Sequence, residues 1–246
     1  MRKMTADTTV AAKAEASPST GKRRTKAHTL KLEEIKTAAA RQFYSVGYAA
    51  TDVRSIADAV SLHVSTLYTY ISGKEELLYL IMKDGIDEVS ATFDAAVARS
   101  DDPLEALRNA VEAMILHHAS RNFLAWTSHI EIRSLSGQCR DDIVRMQHAY
   151  EAKWLKLLGQ GSDAGILDIS DVKLAMYMIL GAGHSVSNWY RPGGRLSAKK
   201  LAALIARQLI SGLQVRPSEA ATTVVVPRRP PRRTPAARRA GTGEQP

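Results

Sequence analysis

One cysteine, three phenylalanines and nine prolines in 246 residues are the scarcities that first bound this chain. The lone Cys139 has no partner for an internal disulfide. A disulfide-stapled scaffold is excluded, and the thiol agrees with a reducing, cytoplasmic setting. No apolar run approaches the ~20 residues a membrane span needs, and the N-terminal residues lack the apolar stretch of a signal peptide. No membrane partner is expected. No segment alternates with period two for long enough to make a strand, so the sequence predicts an all-α fold. Glycine-rich phosphate loops are absent as well. His117, His118 and His129 have no Cys or acidic partner at zinc spacing, and neighbouring histidines on a helix point about 100° apart. Neither a metal nor a cofactor is expected.

One near-match to catalytic chemistry exists. Gly183-His184-Ser185-Val186-Ser187 approaches the nucleophile elbow G-x-S-x-G, but ends in Ser and follows no strand. A hydrolase with Ser185 as nucleophile is thus an alternative without its structural context, and the expectation is that the chain is not an enzyme.

What is abundant is positive charge, and its placement matters more than its sum. The chain carries a net +9. Residues 1–30 hold seven basic and two acidic groups, residues 216–246 the same, and residues 31–215 a near-neutral twenty against twenty-one. Both ends are poor in large apolar side chains, so 1–27 reads as a disordered basic arm and 216–246 as a disordered basic tail. Lys22-Arg23-Arg24-Thr25-Lys26 could lie along phosphates or enter a minor groove. A nucleoid-type DNA packer using such ends is a second alternative.

Between the ends every segment has helical period. Leu32, Ile35, Ala39 and Phe43 make a first helix closed by Gly47. Val53 to Val60 is a short amphipathic helix, Ser61-Leu62-His63 a tight turn, and Val64 to Tyr70 a second short helix with Leu67 turned inward. Two short helices so joined form a helix-turn-helix, whose second helix enters the DNA major groove. Ser72-Gly73-Lys74-Glu75 reads as a capping box opening a long helix through Leu77, Leu78, Ile81, Ile86 and Val89. Asp102-Pro103-Leu104-Glu105 is another start signal. Helices are expected near 104–119, 122–134 and 140–158, then breaks at Gly159, Gly161 and Gly165, then helices near 171–189 and 197–213. The expected organisation is a helix-turn-helix domain over 28–79 and a larger helical ligand-binding and dimerisation domain over 80–215.

The run Ala38-x4-Phe43-x3-Gly47-Tyr48-x2-Thr51-x-Val53-x2-Ile56-Ala57, then Thr66-Leu67-Tyr68-x-Tyr70, then Lys74-Glu75-x-Leu77-Leu78, resembles the DNA-binding domain of the tetracycline-repressor family. The resemblance implies a homodimeric, all-helical regulator that binds a pseudo-palindromic double-stranded DNA operator and senses a small-molecule effector. It also implies that Tyr70 and Lys74 clamp the DNA backbone, and that the last two helices build the dimer interface. This chain departs from the family at Ser61, where Gly is usual, at His63, where a small hydroxyl cap is usual, and at Ile71, where Phe is usual.

On the reading surface, Arg54 is the candidate base contact, since guanidinium matches the two acceptors of guanine. Ser65, Thr66 and Thr69 offer short polar contacts, Tyr68 and Tyr70 reach phosphate with their hydroxyls, and Thr51 can cap the second helix.

In the body, Trp126, His129, Arg133, Tyr150 and Met176 are candidate effector contacts among apolar residues. Glu131-Ile132-Arg133-Ser134-Leu135, Ala149-Tyr150-Glu151 and Trp189-Tyr190-Arg191-Pro192-Gly193-Gly194-x-Leu196-Ser197 are similar to a branch of the family whose members often regulate fatty-acid or steroid breakdown and sense acyl-CoA esters. That similarity implies contacts from Trp189 and Arg191 to a CoA moiety. The stripe Val172, Met176, Ile179, Gly183, Val186 and Tyr190, with Leu201, Leu204, Ile205, Gln208 and Leu209, is the expected dimer surface.

Overall fold

The computed structural model describes residues 18–120 and 131–214, with side chains from residue 26 onward. Helix α1 (Pro18–Val46) buries Ile35, Ala39, Ala40 and Phe43 along one side. It stops where Gly47 takes φ +88° and donates its amide to the Phe43 carbonyl. Glycine enters this left-handed conformation without steric cost. Because α1 begins at Pro18, the expectation of a disordered arm through residue 27 is corrected from that point on. Once a helix is nucleated, propagation through Lys, Arg and Ala is cheap.

Helix α2 (Val53–Ala59) is capped by Asp52, which accepts the Ser55 amide at 2.7 Å. Thr51 is not the cap. It is buried and donates its hydroxyl to the Gly47 carbonyl at 2.8 Å. The turn that follows places Ser61 at φ 54°, where the family prefers Gly. Helix α3 (Val64–Leu67) is shorter than the expected 64–70, residues 68–70 continuing as turn. Its N-cap, His63, makes no side-chain capping bond.

Helix α4 (Lys74–Val97) runs for 24 residues. The expected capping box shifts by one residue. The Ser72 hydroxyl and amide donate to Glu76, and Glu75 is left to accept from Ser136. Helix α5 (Pro103–Ser120) begins as expected, with Asp102 accepting the Glu105 amide at 2.8 Å. Most of the helix expected over 122–134 lies outside the described residues. Its last part, Glu131–Ser134, is a 3-10 turn, η1.

Helix α6 (Gly137–Asp163) passes through Gly159 and Gly161, correcting the breaks expected there. Gly161 is buried beneath Leu167, whose Cδ1 would sit 2.6 Å from an added Cβ, so the glycine serves close packing within a helix. The break comes at Gly165, φ +68°. Helices α7 (Val172–Trp189) and α8 (Ala198–Leu213) are capped by Asp171 and Ser197. Among the described residues no strand occurs, and no helix is long and apolar enough to cross a membrane.

Two apolar cores meet along α4. The first gathers Ile35, Phe43, Ile56, Leu67, Leu77, Leu78, Ile81 and Ile86. It also takes Leu135 and Ile143, from just after η1 and from α6. The second begins at Val89 and Phe93 and joins α5 to α8 around Trp154, Met114 and Met176. The expected boundary at residue 79 therefore falls inside a continuous helix, with packing on both sides of it. Lys36 of α1, itself buried, is paired with Glu33 and with Asp84 of α4, fastening the two helices. Burial works to lower the Lys36 pKa, but hydrogen bonds to Asp84 and Glu33 outweigh it and hold the ammonium above its ordinary value.

Candidate DNA interface and effector cavity

The helix-turn-helix presents Arg54, Ser65, Thr66, Tyr68 and Thr69 at its exposed surface, with Tyr70 half-buried. Tyr68 is 50% exposed, which no core role would leave so. Thr69 already spends its hydroxyl on the Thr66 carbonyl at 2.7 Å. Gln42 of α1 braces α2 by donating to the Ser55 carbonyl at 3.0 Å and accepting the Ser55 hydroxyl at 2.7 Å, one residue from Arg54. Tyr70 stacks on His28 of α1, ring centroids 4.5 Å apart.

Lys74 has work inside the protein. Its Nζ donates to the carbonyls of Tyr48 and Thr51, both at 2.8 Å, and lies 4.3 Å from the centre of the Tyr48 ring. It fixes the α1–α2 turn. The Tyr48 amide donates to Glu131 of η1 at 3.4 Å, while Glu131 also accepts the Ser134 hydroxyl at 2.9 Å. The same turn thus carries one contact from the reading head and one from the body. Burial, then Glu75 and Glu131, push the Tyr48 phenol above its ordinary pKa.

A cavity of about 310 Å³ opens between α4, α5, α6 and α7. Gly85, Ile86 and Val89 line it from α4, His117 and His118 from α5, Gln147, Tyr150 and Glu151 from α6, and Tyr177, Leu180, Gly181 and His184 from α7. Its volume is at the small end of the range for small-molecule sites, and its wall mixes apolar surface with a few polar groups, as such sites do. The Tyr150 hydroxyl lies deep beside the Trp154 indole, without a hydrogen bond of normal geometry among the described residues. Burial pushes its pKa up, so the phenol stays protonated and serves only as a neutral group. No set of three metal-capable side chains converges among the described residues.

Of the candidate effector contacts, Tyr150 lines this cavity. Met176 is wholly buried in the core, and Arg133 is exposed on η1. Trp189 is 53% exposed and donates its indole N–H to Ser185, while Arg191 donates to the carbonyls of Asn188 and Tyr190. None of these four is brought to the cavity. Trp126 and His129 lie outside the described residues. His184, Gly85 and Leu180 went unread because an apolar helix gives no sign of which of its residues face a void. Ser185 sits mid-helix on α7, not at a strand-to-helix elbow.

The expected dimer stripe is also corrected. Met176, Ile179, Gly183, Val186 and Tyr190 face into their own protomer. Gly183 lets α7 approach α5 so closely that an added Cβ would lie 3.0 Å from Met114 and His118 atoms. What α7 leaves uncovered is the opposite side: Leu174, Met178, Gly181, Ser185 and Trp189, spaced three to four residues apart.

Comparison with known proteins gives a consistent answer. Residues 35–79 match the family model for bacterial regulatory proteins of the tetR family, and residues 100–213 match the tetracyclin repressor-like C-terminal domain. The chain is 28% identical over 187 residues to the HTH-type transcriptional repressor KstR2 of Mycobacterium tuberculosis, covering 73% of this chain and 91% of that one. The solved structure of the ketosteroid transcriptional regulator KstR2 from the same species superposes with a TM-score of 0.70 at 26% identity, over 75% of this chain and 95% of that one. The structure of AibR in complex with isovaleryl coenzyme A and operator DNA gives 0.65 at 26% identity, over 73% and 98%.

Proposed function

Because the chain belongs to the tetracycline-repressor family of helix-turn-helix transcriptional regulators, we propose that it is a repressor that leaves its operator when a small hydrophobic or acyl-CoA-type effector occupies the cavity between α4 and α7. One observation carries this reading. Ile86, in the core of the reading head, and Val89, in the core of the body, are neighbours on α4, and both line the cavity. A ligand lodged there touches the helix whose first turn holds the α1–α2 turn through Lys74. Occupancy shifts operator binding only by the effector's differential affinity for the bound and released states.

An acyl-CoA ester is the favoured class. Supporting it are the likeness to AibR, solved with isovaleryl coenzyme A and operator DNA, and a volume suited to the acyl portion of such a ligand. The uncovered side of α7 supports dimerisation, since a two-fold contact between identical faces suits a pseudo-palindromic site. Arg54 and the exposed hydroxyls of α3 would read the groove.

The deciding experiment selects bound fragments from random duplex DNA with the full chain. It then titrates short-, medium- and ring-acyl CoA esters against the complex. Release by one class at micromolar concentration is expected. An effector that tightens operator binding overturns the repressor-release reading, and enrichment of no sequence favours the DNA-packing alternative.

A further inference from the structure

We infer that the amino-terminal part of α1, from Pro18 to His28, is a second DNA-contacting element: a phosphate-binding helix carried beside the reading head. The inference rests on the proposed operator binding and adds a site to it.

The reading head is short of cations. Residues 28–79 contain five basic groups and six acidic ones, a net charge of −1. Lys31, Lys36 and Lys74 are engaged by protein oxygens. Lys31 donates to the Val60 carbonyl and to Glu34, both at 2.9 Å. Lys36 is held by Glu33 and Asp84. Lys74 is held by the Tyr48 and Thr51 carbonyls. Affinity for duplex DNA depends on neutralising phosphates and releasing their counterions, so a head of this composition needs cations from elsewhere.

They lie immediately upstream. Residues 18–27 carry Lys22, Arg23, Arg24 and Lys26 and no acidic group, and they belong to the same continuous helix as the headpiece. That helix is fixed to the helix-turn-helix at two points, by the His28–Tyr70 stack and by Lys31 on the Val60 carbonyl at the end of α2. It therefore leaves the head next to Tyr70, the residue that ends the expected reading segment. At 1.5 Å per residue, Lys22 to His28 spans about 9 Å, the axial rise of about two to three base-pair steps. A helix that is already formed also avoids most of the ordering cost a flexible arm would incur. The match to the family's DNA-binding domain begins only at residue 35, so this element stands ahead of the part held in common.

The test uses the full chain and a duplex it selects itself. Operator affinity is measured across a salt series, with hydroxyl-radical footprinting of the same complex. Replacing Lys22, Arg23, Arg24 and Lys26 together by Gln should lower the slope of log K against log salt by about two to four per protomer. Sequence preference should persist, and backbone protection flanking each half-site should disappear. A second variant, Ala27→Pro, keeps every charge but interrupts the helix, and should lose the flanking protection too. An unchanged slope overturns the inference, as does a lower slope with an unchanged footprint, which is diffuse attraction only. Full flanking protection in Ala27→Pro overturns it as well, by showing a flexible arm. A wild-type chain that selects no duplex removes the proposed function, and this site with it.

Discussion

The Glu75 carboxylate accepts both the backbone amide and the hydroxyl of Ser136, at 2.7 and 2.8 Å, across 61 residues of sequence. It ties the first turn of α4 to the start of α6, within a few residues of the Lys74 and Glu131 contacts on the Tyr48 turn. Hydrogen bonds from the Ser136 hydroxyl and amide hold the Glu75 carboxyl below its ordinary range. A carboxylate whose folded pKa is depressed contributes above the unfolded value, about 4.3, and stops contributing as pH falls through the lower folded value. The tie is complete at neutral pH. Glu75→Ala should leave operator affinity within a few-fold of wild type but shrink the ratio of affinities without and with effector by about five-fold or more. Fluorescence anisotropy on labelled operator reads both. An undiminished ratio removes this tie from the coupling.

Arg54 and Lys74 should separate under mutation. Arg54 is exposed beside the Gln42–Ser55 brace, so Arg54→Ala should relax sequence preference at one position per half-site by about 1–3 kcal/mol without changing stability. Lys74→Ala removes the donor from two turn carbonyls. It should lower unfolding stability by about 1–2 kcal/mol and weaken all sequences alike. Denaturant melts beside binding-site selections discriminate the two patterns, and a Lys74→Ala protein of full stability would refute its structural share.

Ser61→Gly should stabilise the fold by about 0.5–1 kcal/mol. At φ 54° the serine Cβ crowds the backbone, and glycine relieves that crowding. The gain is reduced by the extra freedom glycine has when unfolded. Chemical denaturation is the measurement, and a destabilised variant would mean that the Ser61 side chain contributes more than its strain costs.

Leu180 borders the cavity from α7 and is nearly buried. Leu180→Phe should fill part of the space and raise the effector dissociation constant about ten-fold or more, with operator binding retained. Calorimetry with the effector found in the release screen decides the matter. Unaltered effector affinity would place the ligand elsewhere.

Met178, 58% exposed on α7 between Leu174 and Gly181, should tolerate a charge in a monomer and not in a dimer. Met178→Glu is expected to shift sedimentation from dimer to monomer at micromolar concentration while helical content holds. A dimer that persists locates the two-fold contact on another face.

Much of this architecture could be read from residue order. Ile35, Ala39 and Phe43 recur with helical period and are buried, and Asp102-Pro103 starts a helix where the start signal stands. Local rules failed where two neighbours compete for one role. Thr51 and Asp52 can both cap α2, and the one whose backbone sits at the helix entrance does so. Glu75 and Glu76 both follow Ser72, and the pull of Ser136 on Glu75 leaves Glu76 to close the turn. Gly159 and Gly161 look like breaks, but Leu167 covers Gly161, and that packing outweighs the low helix propensity of glycine. The cavity between α4 and α7 was least legible, because the side of an apolar helix that meets empty space is decided by partners distant in sequence. The surface left open on α7 escaped notice for the same reason: hydrophobic spacing marks two sides of that helix, and only the packed bundle distinguishes the covered one.

Leu135 and Ile143 complete the core of the reading head although they come from beyond α5 in the chain. A chimera spliced at residue 79, joining this headpiece to another regulator's sensor, would leave both of these core side chains behind. A graft that keeps the headpiece core whole must therefore carry the stretch around residues 131–146 along with the DNA-reading helices.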